Sequence, residues 1–265
     1  IYCDSTWEKT PQTAANTLWT TCVLRRTRLN HLTLTTNMKT LIIARHGNTF
    51  RKGETPTRVG SRTDLPLVEE ERGRGIGKYL AKLGLTPTRI LAAPLQRTMG
   101  TAALAAEELG NPCPVQPDAR FIEVDYGPDE NHSEEETKAR LGADIAKAEG
   151  KDPATLSPEE LDALGEAAIE KWNAEAIVPP GWKVDVEQII ANWTALAGEV
   201  QDDEVLLCVS SNGTIRFAPY ITGDYAGFCA EHDIKVATGG VCIFTSTDGS
   251  TWTCQEWGVK AFKKI

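Results

Sequence analysis

The fold class this sequence predicts is a three-layer α/β/α domain, with a mostly parallel central sheet and a helical insertion. Three observations predict it. From Met38 onward, short apolar runs alternate with amphipathic, helix-like stretches. The runs stop abruptly in polar turns, as where Leu41-Ile42-Ile43 leads into Ala44-Arg45-His46-Gly47-Asn48. A charged, helical stretch from about 129 to 184 then separates the runs into two groups.

Strands are expected at 40–45, 89–93, 204–210 and 240–246. The last is followed by the turn signal Thr247-Asp248-Gly249-Ser250 and the segment Thr251 to Trp257, which reads as a terminal β-hairpin. Helices are expected at about 68–83, 97–109, 134–148, 158–176 and 186–199. Capping-box pairs open three of them: Ser133 with Glu136, Ser157 with Glu160, and Asp185 with Gln188. Pro158 suits a first helical position, where no backbone donor is needed. The run Gly73-x-Gly75-x-Gly77 lacks the spacing of a nucleotide-binding turn and follows no strand directly, so it reads as a close-packing face. The insertion at 129–184 is either a solvated helical hairpin or a lid over a substrate.

Residues 1–37 read as separate from this 38–265 domain. They are rich in Thr and carry no periodic apolar pattern. Either Met38 is the true start and they are upstream read-through or a remnant, or the acid-poor cluster Arg25, Arg26 and Arg28 marks a transit peptide.

A formal net charge of -9 disfavours nucleic acid as a partner, so an anionic ligand needs a local basic pocket. No apolar run approaches the roughly 18 residues of a membrane helix, so no membrane partner is expected. The seven cysteines form no C-x-x-C pair, and Cys208 and Cys242 lie in apolar runs. They read as reduced thiols in a cytoplasmic protein, neither a disulfide frame nor a zinc site. Oligomeric state is not readable from the chain.

Arg45-His46-Gly47 sets an imidazole and a guanidinium side by side at a strand's carboxyl end, where open α/β sheets bind ligands. Imidazole can act as a nucleophile, and the planar guanidinium fork matches a phosphoryl group. Further segments belong with it: Arg62-Thr63-Asp64-Leu65-Pro66-Leu67, Pro94-Leu95-Gln96-Arg97-Thr98, Phe121-Ile122-Glu123-Val124-Asp125-Tyr126-Gly127 and Val209-Ser210-Ser211-Asn212-Gly213. In order and spacing these segments, across most of residues 40–257, resemble the histidine phosphatase superfamily, also called phosphoglycerate mutase-like.

The resemblance implies His46 as nucleophile, Arg45 and Arg97 as clamps on the phosphoryl oxygens, and Glu123 as proton donor. Asp125, two residues on, is the competing acid. Asn48, Arg58 and Arg62 are further candidates for substrate binding, Arg58 and Arg62 being alternatively solvated loop charges. His132 and His232 fit no pattern and read as surface residues. Most of the family carries a second histidine where this chain has Ser211, followed by Asn212. Both can donate hydrogen bonds to a phosphate, but neither brings a charge.

Three activities follow as expectations. The first is a phosphohydrolase acting on a small phosphorylated substrate through phospho-His46. The others are a phosphoglycerate mutase-like phosphotransferase and a non-catalytic phospholigand-binding protein. No cofactor or metal is expected, because two arginines supply the charge.

Overall fold

A computed structural model describes residues 37–265. The expectations for 1–37, apart from Asn37 itself, lie outside the described residues, as do Cys3 and Cys22. One six-stranded sheet forms the centre. In chain order its strands are β1 (Lys39–Arg45), β2 (Arg89–Ala92), β3 (Val115–Pro117), β4 (Val205–Ser210), β5 (Gly240–Ser246) and β6 (Thr253–Lys260). Across the sheet they run β3-β2-β4-β1-β5-β6. β1 pairs in parallel with β4, β4 with β2, and β2 with β3. β5 and β6 close the other side antiparallel. The parallel strands carry their carboxyl ends to one edge, which is where a ligand site is expected.

The strand alternation builds two cores. Leu41, Ile43, Leu206, Cys208, Cys242 and Phe244 face one layer. That layer holds Trp193 of α5 (Val186–Glu199), fully buried and packed on Phe121 at 4.5 Å between ring centres. Ile42, Ala44, Leu207, Val209, Val241 and Ile243 face the other. There they meet α1 (Glu71–Lys82) and α2 (Gln96–Glu108). β1 and β4 are buried on both faces, which is why they read as unbroken apolar runs. The glycines of α1 are a packing face: a Cβ at Gly77 would strike the Ala105 carbonyl of α2.

The insertion folds as α3 (Glu134–Ala148) and α4 (Pro158–Glu175). Full capping boxes close at Ser133/Glu136 and at Ser157/Glu160. At α5 only half forms. Asp185 accepts from Gln188 N–H, while the Gln188 side chain donates to Asn192. An ion pair between the buried Asp129 and the half-buried Arg140, with a 2.7 Å bond from Trp182 Nε1 to Asp129, ties α3 to the return segment. No described helix is long and apolar enough to cross a membrane.

Two expectations shift, and three elements are new. α1 starts at Glu71 rather than 68, because Val68 N–H is drawn to the Asn48 carbonyl at 3.0 Å. The terminal strand lies at Thr253–Lys260, beyond the expected 251–257, with irregular register against β5. The short edge strand β3 carries too few apolar residues to be read in advance. Two more helices follow β4: α6 (Asn212–Ile215) and α7 (Tyr225–Glu231).

Candidate active site

His46 is the first residue beyond β1. Its N–H donates to the Ser210 carbonyl of β4 at 3.1 Å, so the pairing carries the imidazole to the sheet edge. The ring is buried, with 6% of the residue exposed. Nδ1 lies 2.7 Å from the Gly47 carbonyl. A carbonyl only accepts, so Nδ1 carries the proton and Nε2 keeps its lone pair. Burial drives the imidazole well below its ordinary pKa, and the charges of Arg45 and Arg97 add to the effect. The result is a neutral ring of fixed tautomer. Gly47 N–H donates to Thr101 Oγ1 at 2.9 Å, which pins the turn to α2.

Arg45 ends β1. Its Nη1 donates to the Val236 carbonyl at 2.6 Å, and its buried Nε has no partner. Val236 N–H in turn donates to Asn212 Oδ1 at 2.8 Å, so Asn212 sets the segment that holds Arg45.

Glu123 comes from an irregular segment held by two hydroxyls. Ser210 Oγ donates to the Phe121 carbonyl at 2.6 Å and Thr214 Oγ1 to the Ile122 carbonyl at 2.7 Å. The carboxyl is buried and accepts from Val124 N–H at 2.9 Å and Gly213 N–H at 3.3 Å. Burial raises its pKa, against the pull of those bonds and of Arg97 and Arg45. Asp125 behaves in the opposite way. Burial would raise it, but Gly127 N–H at 2.7 Å and Arg62 Nε at 3.1 Å hold it below the usual carboxylate value. Glu123 lines the cavity described below, and Asp125 does not.

Arg97 sits in the first turn of α2 and is fully buried. No side chain within α2 caps that end; Asp64, from the Arg62–Leu67 segment, accepts from Gln96 N–H at 2.7 Å instead. The same segment engages Arg97, whose Nη1 and Nη2 donate to the carbonyls of Thr63 (2.9 Å) and Gly60 (3.1 Å). Its buried Nε is unpartnered.

A cavity of about 710 Å³ opens over these groups. Of the expected site residues, Arg45, His46, Asn48, Arg58, Glu123 and Asn212 line it. Three do not. Arg62 is turned away by Asp125 at 3.1 Å and Glu130 at 3.7 Å. Arg97 lies behind the wall, bonded to loop carbonyls. Ser211 is fully buried between neighbouring strand ends, its Oγ unpartnered. Arg58 is a wall residue rather than a solvated one: it pairs with Glu134 at 2.7 Å and lies over the Trp182 ring at 5.0 Å. His132 and His232 are exposed.

The sequence reading missed Phe50, Lys52, Tyr126, Lys235 and Thr238, which also line the cavity. Tyr126 lay inside a quoted segment. Lys235 and Thr238 had no local signal, since only the packing of the 232–239 loop brings them there. Neither α3 nor α4 lines the cavity, but Glu134 at the start of α3 holds the wall residue Arg58. Among the described residues no group of His, Cys, Asp and Glu is arranged to hold a metal ion.

Comparison with known proteins shows the family and the fold. A model of the histidine phosphatase superfamily (branch 1) matches residues 41–260, and the chain belongs to that family. A 2,3-bisphosphoglycerate-dependent phosphoglycerate mutase of Thermobifida fusca is 35% identical over 107 residues. That match spans 40% of this chain and 43% of the mutase, under half the relative's length. Among solved structures, a phosphoglycerate mutase from Bacillus anthracis superposes with a TM-score of 0.59 at 18% identity, covering 85% of this chain and 95% of the other. A mycobacterial glucosyl-3-phosphoglycerate phosphatase gives 0.58 at 18% identity, over 84% and 99%. At such identities these likenesses establish the fold.

Proposed function

We propose that this member of the histidine phosphatase superfamily is a cytoplasmic phosphohydrolase that cleaves a small phosphomonoester through a phosphohistidine at His46. The observation that carries the reading is the buried, neutral His46, with Nδ1 bonded to Gly47 and Nε2 free, in one cavity with Arg45 and Glu123. The cytoplasmic assignment rests on the free thiols Cys113, Cys208, Cys229, Cys242 and Cys254.

In the first half-reaction the Nε2 lone pair forms a bond to phosphorus as the P–O bond to the leaving group breaks. Glu123, whose pKa burial raises, gives its proton to the departing alkoxide. Arg45 and Arg97 each hold a buried, unpartnered Nε. Arg45, which lines the cavity, meets the charge that builds on the transferring oxygens, and Arg97 adds its positive charge from behind the wall. In the second half-reaction the Glu123 carboxylate takes a proton from water as the water oxygen bonds to phosphorus. The P–N bond breaks, its electron pair returns to Nε2, and phosphate leaves.

A mutase must keep water from its phosphoenzyme. The absence of α3 and α4 from the cavity wall favours hydrolysis over transfer. The test is incubation with para-nitrophenyl phosphate and a panel of phosphometabolites, beside His46→Ala. Phosphate release that His46→Ala abolishes supports the reading. Positional transfer without release makes the protein a mutase, and binding without turnover makes it a phospholigand-binding protein.

A further inference from the structure

The turn that carries His46 runs past the end of its pairing with β5. Ala44 is the last residue of β1 paired on that side, and the carbonyls of Arg45 and His46 lie beyond it. One donor serves both of them: Gly239 N–H, at 3.1 Å from each. The geometry points to Arg72 as a positioning residue for the nucleophile, acting through the peptide group between Thr238 and Gly239. That role rests on the phosphohydrolase reading of the site and deepens it.

A trans peptide group is planar, with its C=O and N–H pointing in opposite directions. In the Thr238–Gly239 peptide the N–H meets the carbonyls of Arg45 and His46. The C=O on the other side accepts from Arg72 Nη1 at 2.8 Å. Arg72 therefore fixes the plane that sets Gly239 N–H on the nucleophile's turn. Thr238 Oγ1 also donates to Asn48 Oδ1 at 2.6 Å, which ties the far end of the turn to the same residue. Space adds a second constraint. Gly239 has a φ of 70°, and a Cβ there would stand 2.8 Å from Arg72 Cβ.

The guanidinium is itself held. Its Nε donates to Glu69 Oε1 at 2.6 Å, and its plane lies over the Phe262 ring at 4.5 Å. Its place runs against local electrostatics. Arg72 is the second residue of α1, where the helix dipole favours an anion. Burial chiefly lowers the pKa of Arg45, and the like charge of Arg72 adds to that shift. A neutral side chain would pack there without either cost. What arginine supplies is a planar fork that meets a carboxylate and a carbonyl at once, a geometry that the single ammonium of lysine does not reproduce.

The experiment measures kcat, KM and the His46 ring in the full-length wild type, R72K and R72M. R72M keeps an unbranched stem and removes every donor. With para-nitrophenyl phosphate its kcat is expected to fall about 10–10²-fold while KM stays within about twofold, because the nucleophile is displaced and binding is not. R72K keeps one donor for Thr238 without the fork and is expected to lose about three- to tenfold in kcat. Nitrogen NMR of isotope-labelled histidine reads the ring, with His46 assigned by the signals lost in His46→Ala. The wild type is expected to show the Nδ1–H tautomer alone, and R72M to exchange between both tautomers. A lowered melting temperature with kcat and tautomer unchanged makes Arg72 a packing residue and overturns the inference. A loss of kcat/KM carried by KM overturns it as well. Should R72M not fold, R72K decides: the expected loss of kcat at constant KM sustains the role, and unchanged kcat and tautomer overturn it. If the wild type releases no phosphate, the phosphohydrolase reading fails instead. The tautomer then decides the positioning role alone, exchange in R72M sustaining it and a fixed Nδ1–H refuting it.

Discussion

Gly213 N–H donates to the Glu123 carboxyl at 3.3 Å, and a Cβ at Gly213 would collide with that same carboxyl. Gly213, the second residue of α6, thus leaves space for the Glu123 carboxyl. The Ser210 and Thr214 hydroxyls flank it and hold the Phe121–Glu123 segment on the end of β4.

Glu123→Gln is expected to lower kcat by about 10²–10⁴-fold on an alkyl phosphate, and less on para-nitrophenyl phosphate, whose leaving group needs little protonation. The raised pKa sets the sign of the pH dependence. The acid works while protonated, so the wild-type rate falls as pH rises through that elevated value. The variant loses this alkaline limb. Initial rates across pH check both points.

His46 sets the opposite limb. Its depressed pKa keeps Nε2 unprotonated below the ordinary histidine value of 6.5, so turnover is expected to persist as pH falls through that range. Stability behaves differently. The unfolded chain takes up a proton near 6.5 while the native ring resists, so His46 contributes a loss of stability as pH drops below 6.5. Thermal melts from pH 8 to 5 on wild type and His46→Ala read the difference. Quenching a working reaction in alkaline detergent preserves phosphate on the wild type that acid then releases, and none on the variant.

Ser211→Ala separates binding of phosphate from packing. The hydroxyl is buried without a partner, an arrangement that costs about 1–3 kcal/mol in the free protein. Its removal is expected to leave the melting temperature unchanged or raised. If Oγ donates to the phosphoryl group, kcat/KM falls by about 10²–10³-fold all the same. A stable variant with full activity would remove Ser211 from the site.

Glu130→Gln tests the loop that holds Arg97. Glu130 accepts from Arg62 N–H at 3.1 Å and from Thr63 Oγ1 at 2.8 Å, and Thr63 and Gly60 supply the carbonyls for the Arg97 fork. Losing the charge is expected to cost about 1.5–3 kcal/mol of stability. Because the fork is released with the loop, kcat is expected to fall with little change in KM. A stability loss without any kcat effect would show that Glu130 only packs the loop.

Two kinds of information separate here. The alternation of β1 and β4, the capping boxes of α3 and α4, and the Arg45-His46-Gly47 turn are local, because a few neighbouring residues suffice to determine each. From them the sequence by itself determined the three-layer fold, the helical pair, the sheet-edge position of His46 and the family. The tertiary structure decided what depends on contacts between distant segments. Arg62 reads like a substrate ligand but is drawn off by Asp125 and Glu130. Arg97 was expected as a clamp on the phosphoryl oxygens but is buried behind loop carbonyls. The insertion lies outside the cavity. Lys235 enters it because Val236 is hydrogen-bonded to Asn212 and Arg45. The physical reason is that periodicity encodes which face of an element is buried, whereas a charged side chain takes its partner from whatever the fold brings within about 4 Å.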